Sequence, residues 1–201
     1  MTLEDPKLDW TARRRQATRR EILDAAWETA RTDGWEGLTL RRVAERVGMR
    51  APSLYSHYAS KAAIVDAMFG AAWQELDDEM AQLESELPDD PRAALLLLAR
   101  SAFGFFTSEP VRHTLMNLIA VPGFVPSEES YAPSVRNLDR LRRLLTRCGI
   151  TEAAGVDLWT ALIGGLTSQQ IANDPGGDRW ARLVPRAVAM YADQFGLPRS
   201  V

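Results

Sequence analysis

The side chains best placed to do chemistry in this chain are cationic and hydroxylated, and they crowd into one short stretch. Between Leu38 and Lys61 stand Arg41, Arg42, Arg50, Ser53, Tyr55, Ser56, His57 and Lys61. Such groups donate hydrogen bonds to phosphate oxygens and base edges. A guanidinium in particular offers a two-pronged fork to guanine O6 and N7. Catalysis has less to work with. The 201 residues include two well-separated histidines, His57 and His113, and a single cysteine, Cys148. Metal-ligand spacing, a phosphate-cradling glycine loop and a nucleophile elbow are all missing from the sequence. No catalytic residue, metal or cofactor is therefore expected. Asp77-Asp78-Glu79 reads as a solvated helix face. Cys148, at a helical core spacing, reads as a small buried hydrophobe.

Composition narrows the class. Hydrophobic residues make up 46% of the chain and charged residues 25%, enough for a sizeable core in one large domain or two small ones. The longest apolar run, Ala93 to Ala99, is too short to span a bilayer. Met1-Thr2-Leu3-Glu4-Asp5 has no secretory character, so a cytoplasmic location is expected. The net charge of −3 hides an asymmetry: residues 1–61 hold 12 Lys+Arg and 9 Asp+Glu, while residues 62–201 hold 12 and 18. A basic head on an acidic body is what a chain needs if only one end meets phosphate.

The elements that must carry these side chains read as helix throughout. Residues 1–10 look like a loose arm. A first helix from Thr11 carries the stripe Ile22, Leu23, Ala26, Trp27, Ala30 and stops at Gly34. Thr39 caps a second helix with the stripe Leu40, Val43, Ala44, Val47, ended by Gly48. Pro52 fits the first turn of a third, which carries Ser53 to Tyr58. Two short helices joined by a glycine turn can seat the second in a DNA major groove while the first braces it. A fourth helix, capped by Ser60, runs to about Leu87. Further helices follow over about 91–107 (apolar nearly all round, hence central), from 109–110 to about Ala120, from about Ser134 to Gly149, from a Thr151 cap to about Asn173, and from an Asp178 cap onward. Residues 121–133, with Pro122, Gly123, Pro126 and Pro133, read as a loop.

The blocks Ile22-Leu23-Asp24-Ala25-Ala26, Gly34-Trp35-Glu36-Gly37-Leu38-Thr39, Val43-Ala44-Glu45-Arg46-Val47-Gly48, Leu54-Tyr55-Ser56-His57-Tyr58 and Ser60-Lys61 together resemble the TetR family of bacterial regulators over about residues 14–66. Beyond them only the layout matches. The resemblance implies an all-α protein of about nine helices. A three-helix helix-turn-helix DNA-binding domain with its arm would span 1–59, and a helical ligand-binding and dimerisation domain 60–201. It implies a repressor that dimerises on a near-palindromic double-stranded operator. A small apolar effector would release it by shifting the fourth helix. Position by position, it assigns Arg41 to a base edge or phosphate and Ala51, Pro52 and Ser53 to the groove-facing start of the recognition helix. Thr39, Tyr55, His57 and Lys61 are assigned to phosphates. Arg50 departs from the family's usual Ser or Thr cap and stands ready to add a contact of its own. The arginines at 13–15 and 19–20 are further candidates for phosphate or minor groove.

For the second half the resemblance implies a homodimer through helices eight and nine. The eighth offers Val156, Trp159, Leu162, Ile163, Leu166 and the pair Gly164-Gly165, whose cost in a helix is rational if another helix or a ligand comes close. An effector pocket is expected among Phe103, Phe106, Leu115, Met116, Asn117, Trp159, Ile163 and Thr167, mostly apolar with a few polar groups; His113 reads as a surface or core residue. The competing readings are a small helical enzyme and a helical scaffold that does not bind DNA.

Overall fold

Hydrophobic periodicity at the helical repeat becomes helix over nearly the whole chain. The computed structural model describes residues 6–117 and 121–199, with side chains from Trp10 onward. Among these residues there are nine α-helices and no strand: α1 (Pro6–Gly37), α2 (Leu40–Val47), α3 (Ala51–Tyr55), α4 (Lys61–Glu84), α5 (Pro91–Ser108), α6 (Pro110–Met116), α7 (Glu128–Arg147), α8 (Ala153–Asn173) and α9 (Val184–Gln194). Capping side chains set four of the nine starts, α7 among them. Thr39 accepts from the Arg42 N–H at 3.3 Å, Ser60 from Ala63 at 3.1 Å, and Asp90 from Arg92 at 3.4 Å and Ala93 at 3.3 Å. Each such cap is worth about 1 kcal/mol. Gly48, at φ 74°, ends α2 in the left-handed conformation that a side chain would resist.

Several boundaries differ from those read in the sequence. α1 begins at Pro6 rather than Thr11, and its helical run is interrupted at Gly34; residues 1–5 of the expected arm lie outside the described residues, as do 118–120 at the end of the sixth helix. α4 ends at Glu84, short of Leu87. α7 starts at Glu128, so Pro133 lies inside a helix and not in a loop. Ser127 caps that start, accepting from the Ser130 N–H at 3.2 Å, and Glu128 and Glu129 complement the helix dipole. Pro133 forfeits one hydrogen bond and gains burial. The residue before α8 is Glu152, not Thr151, and its side chain caps nothing. The ninth helix is entered through a 3-10 turn at Ala181–Leu183, not from Asp178. There the buried Gln170 side chain accepts from the N–H groups of Trp180 (2.9 Å) and Ala181 (3.3 Å), and Pro185 restarts the helix.

Two apolar cores result. The head core joins Ile22, Ala26, Leu38, Val43, Leu54 and Tyr58 to Ile64, Val65, Met68 and Phe69 of α4 and to Leu115 of α6. The body core gathers Leu76, Leu95, Leu98, Leu145, Trp159, Val188 and their neighbours. α5 runs through the body against α4, α6, α8 and α9, while α7 lies along α4. α4 therefore belongs to both cores. Asp77, read as solvated, is only 5% exposed. It pairs with Arg140 at 3.1 Å and Arg136 at 3.4 Å across the α4–α7 seam, and Glu84 takes Arg140 from the other side at 2.6 Å. A buried carboxylate is tolerated only with such partners.

Candidate nucleic-acid interface and effector cavity

Packing decides which face of the paired helices is left for a partner. Val43, Ala44, Leu54 and Tyr58 turn inward to α1 and α4, with Leu40 and Val47 packed partly against the same core, so the polar side chains of α2 and α3 face out. Thr39, Arg41, Arg50, Pro52, Ser53 and Tyr55 are exposed; Ala51, His57 and Lys61 are half-buried. Arg41 bonds Glu45 one turn along at 2.9 Å, a surface pair worth little and easily exchanged for phosphate. Arg50 has no partner for its guanidinium among the described residues, and as the residue preceding α3 it caps nothing. Lys61 folds back so that Nζ donates to the Trp35 carbonyl at 2.6 Å, leaving two of its three donors available. Arg42 and Arg46 are engaged with the head itself, at Asp33 (2.9 Å) and Thr32 (2.9 Å).

Two arginines of the basic arm, read in the sequence as candidates for phosphate or minor groove, are engaged within the head itself. Arg15 donates to the Ser56 carbonyl at 3.2 Å and Arg19 to the His57 carbonyl at 2.9 Å. Both reach the end of α3, where carbonyls lack helical partners and positive charge is favoured. Arg19 also lies over the Tyr58 ring, 4.3 Å from its centre. Burial pushes the Tyr58 phenol up in pKa despite that cation. The recognition helix, too short to hold itself together, is thus clamped to α1. The signal was present as arginine spacing on α1, but nothing in the sequence says which carbonyl they meet.

The body holds a half-open cavity of about 360 Å³ between α4, α5, α6, α7 and α8. Of the residues expected around a pocket, Phe106, Met116, Asn117, Trp159 and Ile163 line it. Phe103, Leu115 and Thr167 are buried in the packed cores beside it. His113 lines it as well, 6% exposed, with Nε2 3.3 Å from Ser168 Oγ and Nδ1 3.2 Å from Asn117 Nδ2. Burial lowers its pKa, which keeps the imidazole neutral. Two walls went unread: Phe69, Trp73, Leu76 and Met80 from α4, and Tyr131, Ser134, Asn137, Leu138 and Leu141 from α7. Helical spacing on α4 does not distinguish a cavity wall from packed core, and Pro133 hid the first part of α7. Phe69 belongs to the cavity wall and the head core at once.

At the near end of the same seam, Asp66 of α4 holds the start of α7. Its carboxylate accepts from Ser127 N–H (2.8 Å), Ser127 Oγ (2.7 Å) and Ser130 Oγ (2.8 Å). Burial alone would raise its pKa, but these hydrogen bonds bring it below the usual carboxylate value. Gly70 lets the helices meet there: a Cβ would stand 3.1 Å from the Ser130 backbone. At Gly164 and Gly165, by contrast, nothing within the chain comes within 4 Å of a Cβ position.

The comparisons agree with this geometry. The family described as bacterial regulatory proteins, tetR family, matches residues 22–68. The class A tetracycline repressor of transposon 1721 from Escherichia coli is 25% identical over 162 residues, 79% of this chain and 69% of that protein. The TetR-family transcriptional regulator PfmR of Thermus thermophilus superposes with a TM-score of 0.66 at 21% identity, covering 89% of this chain and 99% of that one. The transcriptional regulator FadR of Bacillus subtilis, solved in complex with stearoyl-CoA, does so with a TM-score of 0.69 at 15% identity, covering 86% and 96%. At such identities the structures speak for the fold. The relatives are regulators and not enzymes, and no helix among the described residues is long and apolar enough to cross a membrane. With its head matched by family pattern over residues 22–68 and its helical order matched along almost the full length, the chain carries a TetR-family DNA-binding head and shares the fold of TetR-family regulators.

Proposed function

We propose that this regulator is a cytoplasmic repressor that binds a near-palindromic operator as a homodimer and lets go when a small apolar molecule enters the body. Its DNA-binding head spans 1–59 and its ligand-binding and dimerisation body 60–201, with α4 feeding both cores. The observation that carries the reading is the outward display of Thr39, Arg41, Arg50, Pro52, Ser53 and Tyr55 on α2 and α3 over a closed apolar core. Arg41, Arg50 and the start of α3 (Ala51, Pro52, Ser53) read bases; Thr39, Tyr55, His57 and Lys61 hold phosphates.

Dimerisation uses α8 and α9. Leu158 (48% exposed) and Met190 (66%) stand on their outer faces with Leu183 just before α9, and Ala161, Gly165 and Ala189 are exposed beside them. A second copy covers that apolar surface and places two recognition helices about 34–36 Å apart, one turn of duplex. The cavity, mostly apolar with His113 and Asn117 on its wall, is the effector site; the transcriptional regulator solved with stearoyl-CoA, a molecule with a long apolar chain, supports an occupant with an apolar body. The test is fluorescence anisotropy of the purified protein against duplexes tiled across its own upstream region at rising salt. One fragment should bind tightly, with affinity falling linearly in log–log form as counterions are released. A scaffold would bind none of them, which would end the proposal.

A further inference from the structure

We propose that the effector is an uncharged, largely apolar molecule bearing a hydrogen-bond-accepting oxygen, such as a ketone, which the indole N–H of Trp73 and the side-chain amide of Asn137 take up from the adjoining α4 and α7 walls of the cavity. The inference rests on the ligand-responsive reading above and narrows its ligand class.

Charge sets the first limit. Arg140 is the one permanently charged residue on the cavity's lining. Its guanidinium is already claimed by Asp77 and Glu84, and Arg136 shares Asp77. A carboxylate entering here would have to displace one of those partners or stay buried and unpaired, and both are costly. His113 offers no compensating cation, since both ring nitrogens are engaged with neutral groups, at Ser168 and Asn117.

Unmet hydrogen bonding sets the second. Trp73 Nε1 and Asn137 Nδ2 are buried with no partner, although buried donors are nearly always paired. Both residues line the cavity. Trp73 lies on α4 between Phe69 and Leu76, and Asn137 on α7 between Ser134 and Leu141, all of them lining residues at helical spacing. A plain hydrocarbon would fill the space and leave both donors unpaired. Both atoms are themselves closed off, and an acceptor oxygen lodged where the α4 and α7 walls adjoin pairs them once the amide and indole turn toward it. The rest of the wall is aromatic and aliphatic, suited to the apolar remainder of the molecule.

Equilibrium dialysis of the full chain, without DNA, against two matched sets tests this. One set is benzophenone, diphenylmethane and 4-benzoylbenzoate; the other is 2-acetonaphthone, 2-ethylnaphthalene and 2-naphthoate. In at least one set the ketone should bind about tenfold or more tighter than both its hydrocarbon and its carboxylate. Trp73→Phe and Asn137→Leu, each checked for an unchanged helical spectrum, should each shrink the ketone's advantage over the hydrocarbon; should one variant not fold, the other carries the test. Binding of neither ketone, a carboxylate or hydrocarbon that binds as well, or an advantage intact in the folded variants would overturn the proposal. A ketone that binds as expected but leaves the protein on its operator fragment would instead overturn the release mechanism and leave the cavity's chemistry standing.

Discussion

Arg41 and Lys61 carry the same charge but are held differently, and that difference predicts different phenotypes. Arg41 extends from α2 with only an exchangeable Glu45 partner, so Arg41→Ala should relax sequence preference at a cost of about 1–3 kcal/mol on the operator, and less on scrambled duplex. Lys61, anchored on the Trp35 carbonyl, presents a fixed charge; Lys61→Ala should weaken operator and scrambled duplex alike, which paired anisotropy titrations would show. His113 makes a separate prediction about pH. Burial lowers its folded-state pKa below the ordinary value, so the unfolded chain binds the proton first. Its contribution to stability is complete above about pH 6.5 and is lost as pH falls from there toward the folded value. Melting temperature should fall between pH 7 and 5, and His113→Gln should flatten that part of the profile.

At the scale of elements, the paired helices were legible because their signals are local: Thr39, Gly48, Pro52 and Ser60 each act within one turn. The stripe of α4, with Phe69 and Leu76 on it, was equally plain, but a stripe does not say whether it faces packed core or a cavity, and nothing local singles out Trp73 or Met80. Pro133 misled more seriously, because proline's cost is local while the burial that offsets it comes from α4, distant in sequence. The ninth helix was entered too early for the same reason: the cap comes from Gln170 on another helix. The Asp66 clasp is a non-local device of this kind, and it can be tested. Asp66→Ala removes three hydrogen bonds and leaves the Ser127 N–H and the Ser127 and Ser130 hydroxyl protons without their acceptor, which should cost about 1–3 kcal/mol in urea unfolding. Amide exchange should rise first at the start of α7 rather than across the body.

For the whole molecule, the apolar outer faces of α8 and α9 should decide the oligomeric state. Met190→Glu together with Leu158→Glu places charges where each copy would bury them, and sedimentation should then report a monomer. Operator affinity should drop by far more than twofold, because half-sites are no longer held together. The head itself should stay folded, since neither residue touches its core.

The sharing of α4 between the two cores also has a mechanical consequence. Its 24 residues make a rod about 36 Å long. The Asp77 cluster grips it near one end, and the head rides on the other, braced by Arg15 and Arg19 so that α1 and α3 travel together. A pivot of only about 5° near Glu84 would swing Lys61 through roughly 3 Å. Mirrored in a second copy, that is leverage enough to throw two heads out of step with the pitch of a duplex.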